Sequence, residues 1–126
     1  MGEVIAVFDA NILMDYLDGV HDALEELRRY SVKEISIVTW MEVLTGAKPN
    51  DEAYTRSLLG TCVVLPVTQE IAERAVFERR QRRIKLPDAI VIATAIVGGR
   101  VLVTRNTRDF PADDEHVRIP YRLRLH

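Results

Sequence analysis

Short apolar runs alternate along this chain with stretches whose apolar residues recur at helical spacing. Val4 to Phe8 reads as a buried strand, and Asn11 to Leu17 as a short helix ended by Asp18-Gly19. Asp22 is placed to cap a second helix, with Glu25 three residues on and Leu24 and Leu27 facing inward. Ile35 to Val38 reads as the next strand, followed by a helix from Trp40 to about Thr45 that stops at Gly46. Pro49-Asn50 starts another helix running to Leu59. Cys62 to Val67 makes a third strand, in which Pro66 favours a sheet edge or a strand end. Thr68 begins the longest helix, with Ile71, Ala72, Ala75 and Val76 on one face and fraying expected around Arg83 to Leu86. Pro87 suits a first helical position, and the helix it starts closes at Gly98-Gly99. Val101 to Thr104 is the fourth strand and Val117 to Ile119 a candidate edge strand, while the tail after Pro120 has no clear pattern.

This alternation predicts an α/β fold, with a central, mainly parallel sheet of four to five strands covered by helices on both faces. A length of 126 residues suits one domain, residues 1–126, with a core of its own. Hydrophobic content of 48% and charged content of 29% exclude a disordered chain. The apolar run around Ala89 to Val97 is too short to span a bilayer, and no secretory pattern opens the chain, so a cytoplasmic protein without membrane contact is expected. Cys62 is the only cysteine, which excludes an internal disulfide or a cysteine-based zinc cluster. His21, His116 and His126 lack ligand spacing to one another and receive no role.

Four acids stand beside the ends of those apolar runs: Asp9, Glu42, Asp88 and Asp109. Each has a local explanation. Glu42 lies three residues after Thr39, as in a capping box, and Asp88 follows Pro87 in a first helical turn that favours negative charge. Asp9 suits a turn into a helix, and Asp109 a surface loop. A parallel sheet, however, brings the carboxyl ends of its strands to one edge, where ligands bind. Unit charges about 4 Å apart repel by roughly 4 kcal/mol at an effective dielectric of 20, a cost that a divalent cation removes. A pocket of carboxylates offers the hard oxygen ligands that Mg²⁺ or Mn²⁺ takes.

The formal net charge is −2, which looks wrong for a protein acting on nucleic acid. Setting those four aside from 19 acidic residues leaves 15 against 17 basic ones, so charge neither supports nor excludes a polyanionic substrate. The run Arg79-Arg80-Gln81-Arg82-Arg83-Ile84-Lys85 precedes Asp88 directly. It reads either as a solvated helix end or as a phosphate-contacting stretch, with Arg82, Arg83, Lys85, Arg105 and Arg108 the candidate contacts to a nucleic-acid backbone. Trp40 reads as core or interface.

Four segments together resemble the PIN domain, and among PIN domains the VapC-like toxin ribonucleases. They are Phe8-Asp9-Ala10-Asn11, Thr39-Trp40-Met41-Glu42-Val43-Leu44-Thr45-Gly46, Leu86-Pro87-Asp88-Ala89-Ile90-Val91-Ile92-Ala93-Thr94-Ala95 and Val103-Thr104-Arg105-Asn106-Thr107-Arg108-Asp109-Phe110. The resemblance implies a PIN-like three-layer α/β/α sandwich and a Mg²⁺- or Mn²⁺-dependent endoribonuclease. It further implies a homodimer and a cognate antitoxin partner. Asp9, Glu42 and Asp88 would be metal-binding acids, with Asn11 supporting the first and Thr104 hydrogen-bonding nearby. Many PIN domains carry an aspartate where this chain has Asn106, so either Asn106 or Asp109 completes the catalytic set. Two rivals follow. A PIN-like module that binds RNA or protein without cutting draws support from Asn106. A phosphatase of the haloacid dehalogenase type would need a second aspartate where Asn11 stands, and no Gly-rich phosphate loop occurs.

Overall fold

Four apolar residues in a row, Ile5–Phe8, form β1 at the centre of the sheet because both of its faces are covered. Side chains alternate along a strand, and here the alternation divides the molecule. Ala6 and Phe8 enter one apolar cluster with Ile12, Leu13, Ile35, Val43 and Leu59, while Val7 enters a second with Ile71, Ala75, Ile92 and Phe110. In the fourth strand, Leu102 joins the second cluster and Val103 the first. The result is a three-layer α/β/α sandwich. The computed structural model describes residues 2–123, so His126 lies outside the described residues.

In chain order the elements are β1, α1 (Ala10–Leu17), α2 (His21–Arg28), β2 (Val32–Ser36) and α3 (Ile37–Thr45). A 3₁₀ turn at Pro49–Asp51 leads into α4 (Glu52–Leu59), then β3 (Val63–Leu65), α5 (Gln69–Arg82), α6 (Leu86–Val97), β4 (Leu102–Val103) and β5 (Val117–Arg118). The five strands are all parallel and ordered β3-β2-β1-β4-β5. β3 is an edge strand, as Pro66 led us to expect, and β5 is the opposite edge. No helix among the described residues is long and apolar enough to cross a membrane.

Several boundaries differ from the sequence reading. The second strand ends at Ser36, two residues earlier than expected, and α3 begins at Ile37, three residues before Trp40, because Ser36 Oγ accepts the Val38 amide and caps the helix. The Thr39–Glu42 capping box therefore does not form, and the buried Thr39 hydroxyl has no partner among the described residues. Asp22 does not cap α2; Val20 occupies that place without a side-chain bond, and Asp22 falls in the first turn. On α5, Val76 faces outward at 45% exposure, while Glu78 is buried between Arg74 (2.9 Å) and Arg82 (2.6 Å). Their positive charge is what makes an acid tolerable there.

The expected fraying after α5 is instead an abrupt stop. Arg83 adopts the left-handed conformation (φ 55°, ψ 41°), which turns the chain so that Ile84 enters the second cluster. A side chain in that region costs about 1–2 kcal/mol, more than the roughly 0.5–1 kcal/mol of extra unfolded-state entropy that glycine carries. Arg83→Gly should therefore stabilise the protein by about 0.5–1 kcal/mol, read as a higher midpoint in urea; a lower midpoint would show that the arginine side chain outweighs its backbone strain.

Candidate active site

The strand order reverses between β1 and β4, since the chain moves outward through β2 and β3 before returning to β1's other side. A reversal of this kind leaves a crevice at the carboxyl ends of the two strands. Asp9 leaves β1 at that place and Thr104 leaves β4. The Asp9 amide still bonds to Val103 O of β4 at 3.0 Å, so the backbone is fixed by the sheet before the side chain makes any contact.

Asp9 is also the N-cap of α1, its Oδ1 accepting the Ala10 amide at 2.8 Å. Its Oδ2 accepts from Thr104 Oγ1 at 2.8 Å and from Asn11 Nδ2 at 3.4 Å. Asn11 Nδ2 also donates to Thr104 Oγ1 (3.1 Å), and Asn11 Oδ1 accepts the Arg105 amide (3.0 Å). The expected supporting parts of Asn11 and Thr104 are thus direct contacts. Past β4, Asn106 and Asp109 close a small turn of their own. Asn106 Oδ1 accepts the Asp109 amide at 3.2 Å, and Asn106 Nδ2 donates to Asp109 Oδ2 at 3.0 Å.

Asp88 and Glu42 approach from the two helical layers. Asp88 sits in the first turn of α6, at the junction that follows α5. Glu42 lies in the second turn of α3, because that helix starts early. The acids feel one another. Burial pushes the Asp9 carboxyl above the usual range despite its donors, and the charges of Asp88 and Asp109 push it further. Asp88 is raised by burial and by Asp109, with Lys85 opposing. The exposed Glu42 is raised by partial shielding of its carboxyl and then by Asp9 and Asp88. Among the described residues no three His, Cys, Asp or Glu side chains converge tightly enough to enclose one ion directly. The carboxylates share a field without meeting at a point.

Two of the five cations expected to face RNA are committed elsewhere. Arg82 bridges Glu78 and Asp114 (2.6 and 2.7 Å), with its guanidinium over the Phe110 ring. Arg105 grips Asp15 through Nε and Nη2 at 2.7 and 2.9 Å. Arg83, Lys85 and Arg108 are exposed and form no ion pair among the described residues. Asp15 itself escaped the sequence reading. Its spacing of four from Asn11, which puts both on one face of α1, was the available signal.

A model of the PIN-domain family matches residues 6–114, a span that contains all four acids. The chain belongs to the PIN-domain family. It is 32% identical over 111 residues to ribonuclease VapC10 of Mycobacterium tuberculosis, covering 82% of this chain and 84% of that relative. Among solved structures, a chain of a toxin–antitoxin complex from Klebsiella pneumoniae is 43% identical, with a TM-score of 0.88 over 94% of this chain and 99% of that one. A chain of DNA-bound VapBC from Salmonella typhimurium is 21% identical with a TM-score of 0.72, over 92% and 96% of the two chains, and shares the fold. The resemblance read from four segments of sequence is borne out, as is the three-layer α/β/α architecture.

The raised carboxyls of this PIN domain fix the sign of a pH effect. A folded-state carboxyl above its unfolded pKa holds its proton more readily when folded, so its charge opposes folding at neutral pH and this penalty fades as pH falls. In EDTA at pH 7, Glu42→Gln should melt higher than the natural protein, and the gap should close as the pH falls below roughly 4, where the carboxyl is mostly protonated in both folded and unfolded states. A gap that stays constant with pH would separate Glu42 from the shared field.

Proposed function

We propose that this PIN domain is a Mg²⁺- or Mn²⁺-dependent endoribonuclease, the toxin of a VapBC-like pair that meets its cognate antitoxin in the cytoplasm. The observation that carries this reading is a buried aspartate at the sheet's reversal point, within the field of Glu42, Asp88 and Asp109. Relationship to a ribonuclease and to a chain of a toxin–antitoxin complex supports the activity and the partner. A homodimer is part of the same reading by family resemblance.

The donor set fits a hard divalent cation. It consists of carboxylate, amide and hydroxyl oxygens, and the burial and mutual repulsion that raise Asp9, Asp88 and Glu42 are both offset by a bound positive charge. Direct convergence of three acids is not required, since Mg²⁺ keeps several waters and takes one or two carboxylates. Asp9 and Asp88 would hold the ion, with Glu42 and Asp109 binding it or its waters. A divalent cation there supplies an acidified water and charge neutralisation for the scissile phosphate.

The protein's own groups do the positioning. Thr104 and Asn11 aim Asp9 Oδ2, and the Ala10 amide holds Oδ1. Asn106 takes the part of a brace and Asp109 that of the fourth charge, because the Asn106 amide secures the Asp109 carboxylate while Asp109 acts on both Asp9 and Asp88. That assignment weighs against the rival reading of a silent module, which drew its support from Asn106. Arg83, Lys85 and Arg108 remain to contact the RNA backbone, where positive groups place a substrate without reading its sequence.

Asp88→Asn should leave the far-ultraviolet circular dichroism unchanged and abolish Mn²⁺-dependent cleavage of single-stranded RNA. Products of the natural protein should carry 5′-phosphate and 3′-hydroxyl ends, because water and not the ribose 2′-hydroxyl attacks. Retained cleavage by Asp88→Asn, or 2′,3′-cyclic phosphate ends, would reject the reading.

A further inference from the structure

Asp15 lies on α1 one turn beyond Asn11, is 5% exposed, and plays no part in the acidic field described above. Its carboxylate takes three donors: Arg105 Nε (2.7 Å), Arg105 Nη2 (2.9 Å) and the Tyr121 hydroxyl (2.7 Å). Arg105 therefore meets α1 twice, through its guanidinium at Asp15 and through its backbone amide at Asn11 Oδ1 (3.0 Å). It directly follows Thr104, whose hydroxyl both donates to Asp9 and accepts the Asn106 amide (3.1 Å). Tyr121 lies in the segment after β5, far along the chain from Asp15.

We propose that Asp15, Arg105 and Tyr121 form a positioning staple that locks the exit of β4 onto α1 and thereby sets the direction of the Asp9 carboxylate towards its cation. This rests on the metal-binding reading of Asp9. A buried ion pair contributes little net stability over an apolar pair, so its value here lies in geometry. A bidentate guanidinium–carboxylate fork fixes both distance and plane, which a lysine cannot reproduce. Burial and the neighbouring Asp15 charge keep the Tyr121 hydroxyl protonated, so it remains a donor throughout the neutral range. The chain of contacts runs from Tyr121 to Asp15, from Arg105 to Asn11, and from Asn11 and Thr104 to Asp9 Oδ2. Partners that orient metal ligands are worth about 10- to 100-fold in affinity, and the staple acts one step further out, at the lower end of that range.

Two readouts on the full chain test this, neither of them activity. The first is hydrogen exchange of the Arg105 and Asn106 amides in metal-free protein; the second is Mn²⁺ affinity without RNA, measured by electron paramagnetic resonance. Tyr121→Phe and Arg105→Lys should each speed that exchange at least about tenfold, the worth of one hydrogen bond to a charged group. Arg105→Lys should weaken Mn²⁺ binding about tenfold and Tyr121→Phe by a smaller factor. Arg100→Lys is the control, since it disturbs the Arg100–Glu34 pair (3.2 Å) before β4 and should move neither readout. Unchanged exchange, or faster exchange with unaltered Mn²⁺ affinity, overturns the staple, and so does an equal loss in Arg100→Lys. If the natural protein binds no Mn²⁺, the metal reading falls and exchange alone decides the staple. If Arg105→Lys does not fold, Tyr121→Phe decides.

Discussion

An ionised carboxylate loses most of its hydration when buried, and Asp9 is 6% exposed. Left alone, such a group would take up a proton or expel itself from the fold. Here the sheet gives it no choice of place, because its own amide is bonded to Val103 of the neighbouring strand. The surrounding structure answers with the Ala10 amide at the start of α1, the Thr104 hydroxyl and the Asn11 amide. Even so its carboxyl remains raised, since burial and the facing acids outweigh these donors. The site is thus held in a state that a positive charge would relieve, and the fold stores that preference in its backbone.

The parallel sheet makes this possible through its order. With β1 central and β4 added on its other side, the carboxyl ends of two central strands point to one crevice, and both helical layers reach it. Asp88 comes from the α5–α6 layer, Glu42 from the layer built by α1 to α4. Neither layer alone contains the acidic set. Packing of Val7 against one cluster and of Ala6 and Phe8 against the other is what keeps the two layers in register across β1.

Charge has a different distribution in the folded molecule than along the chain. Three buried acids, Asp15, Glu26 and Glu78, each bind arginine, and Glu26 takes a fork from Arg118 at 2.7 and 3.0 Å. Two of these acids join elements that are distant in sequence, α2 to β5 and α1 to the exit of β4, while Glu78 pairs within α5. A count of basic residues near the site therefore overstates what is free for a polyanion. Arg82 and Arg105 serve the scaffold, and the solvent-facing set narrows to Arg83, Lys85 and Arg108.

Local pattern determined much of this protein. Short apolar runs and helical spacing identified the strands and helices, since burial on both faces of a strand or on one face of a helix imposes those patterns on any chain. The four acids were visible because each follows or opens such an element, and four segments in order sufficed for the family. Boundaries were less legible: whether Ser36 or Thr39 starts α3 depends on which hydroxyl finds an amide, and Arg83 could enter a left-handed turn only because Ile84 has a core to enter. The burial of Asp15, its capture of Arg105 and the pairing of Arg82 with Asp114 were decided by tertiary contact alone. Each depends on which side chains meet across long spans of chain, as Tyr121 meets Asp15, and a carboxylate's neighbours in space, not in sequence, set its charge and its direction.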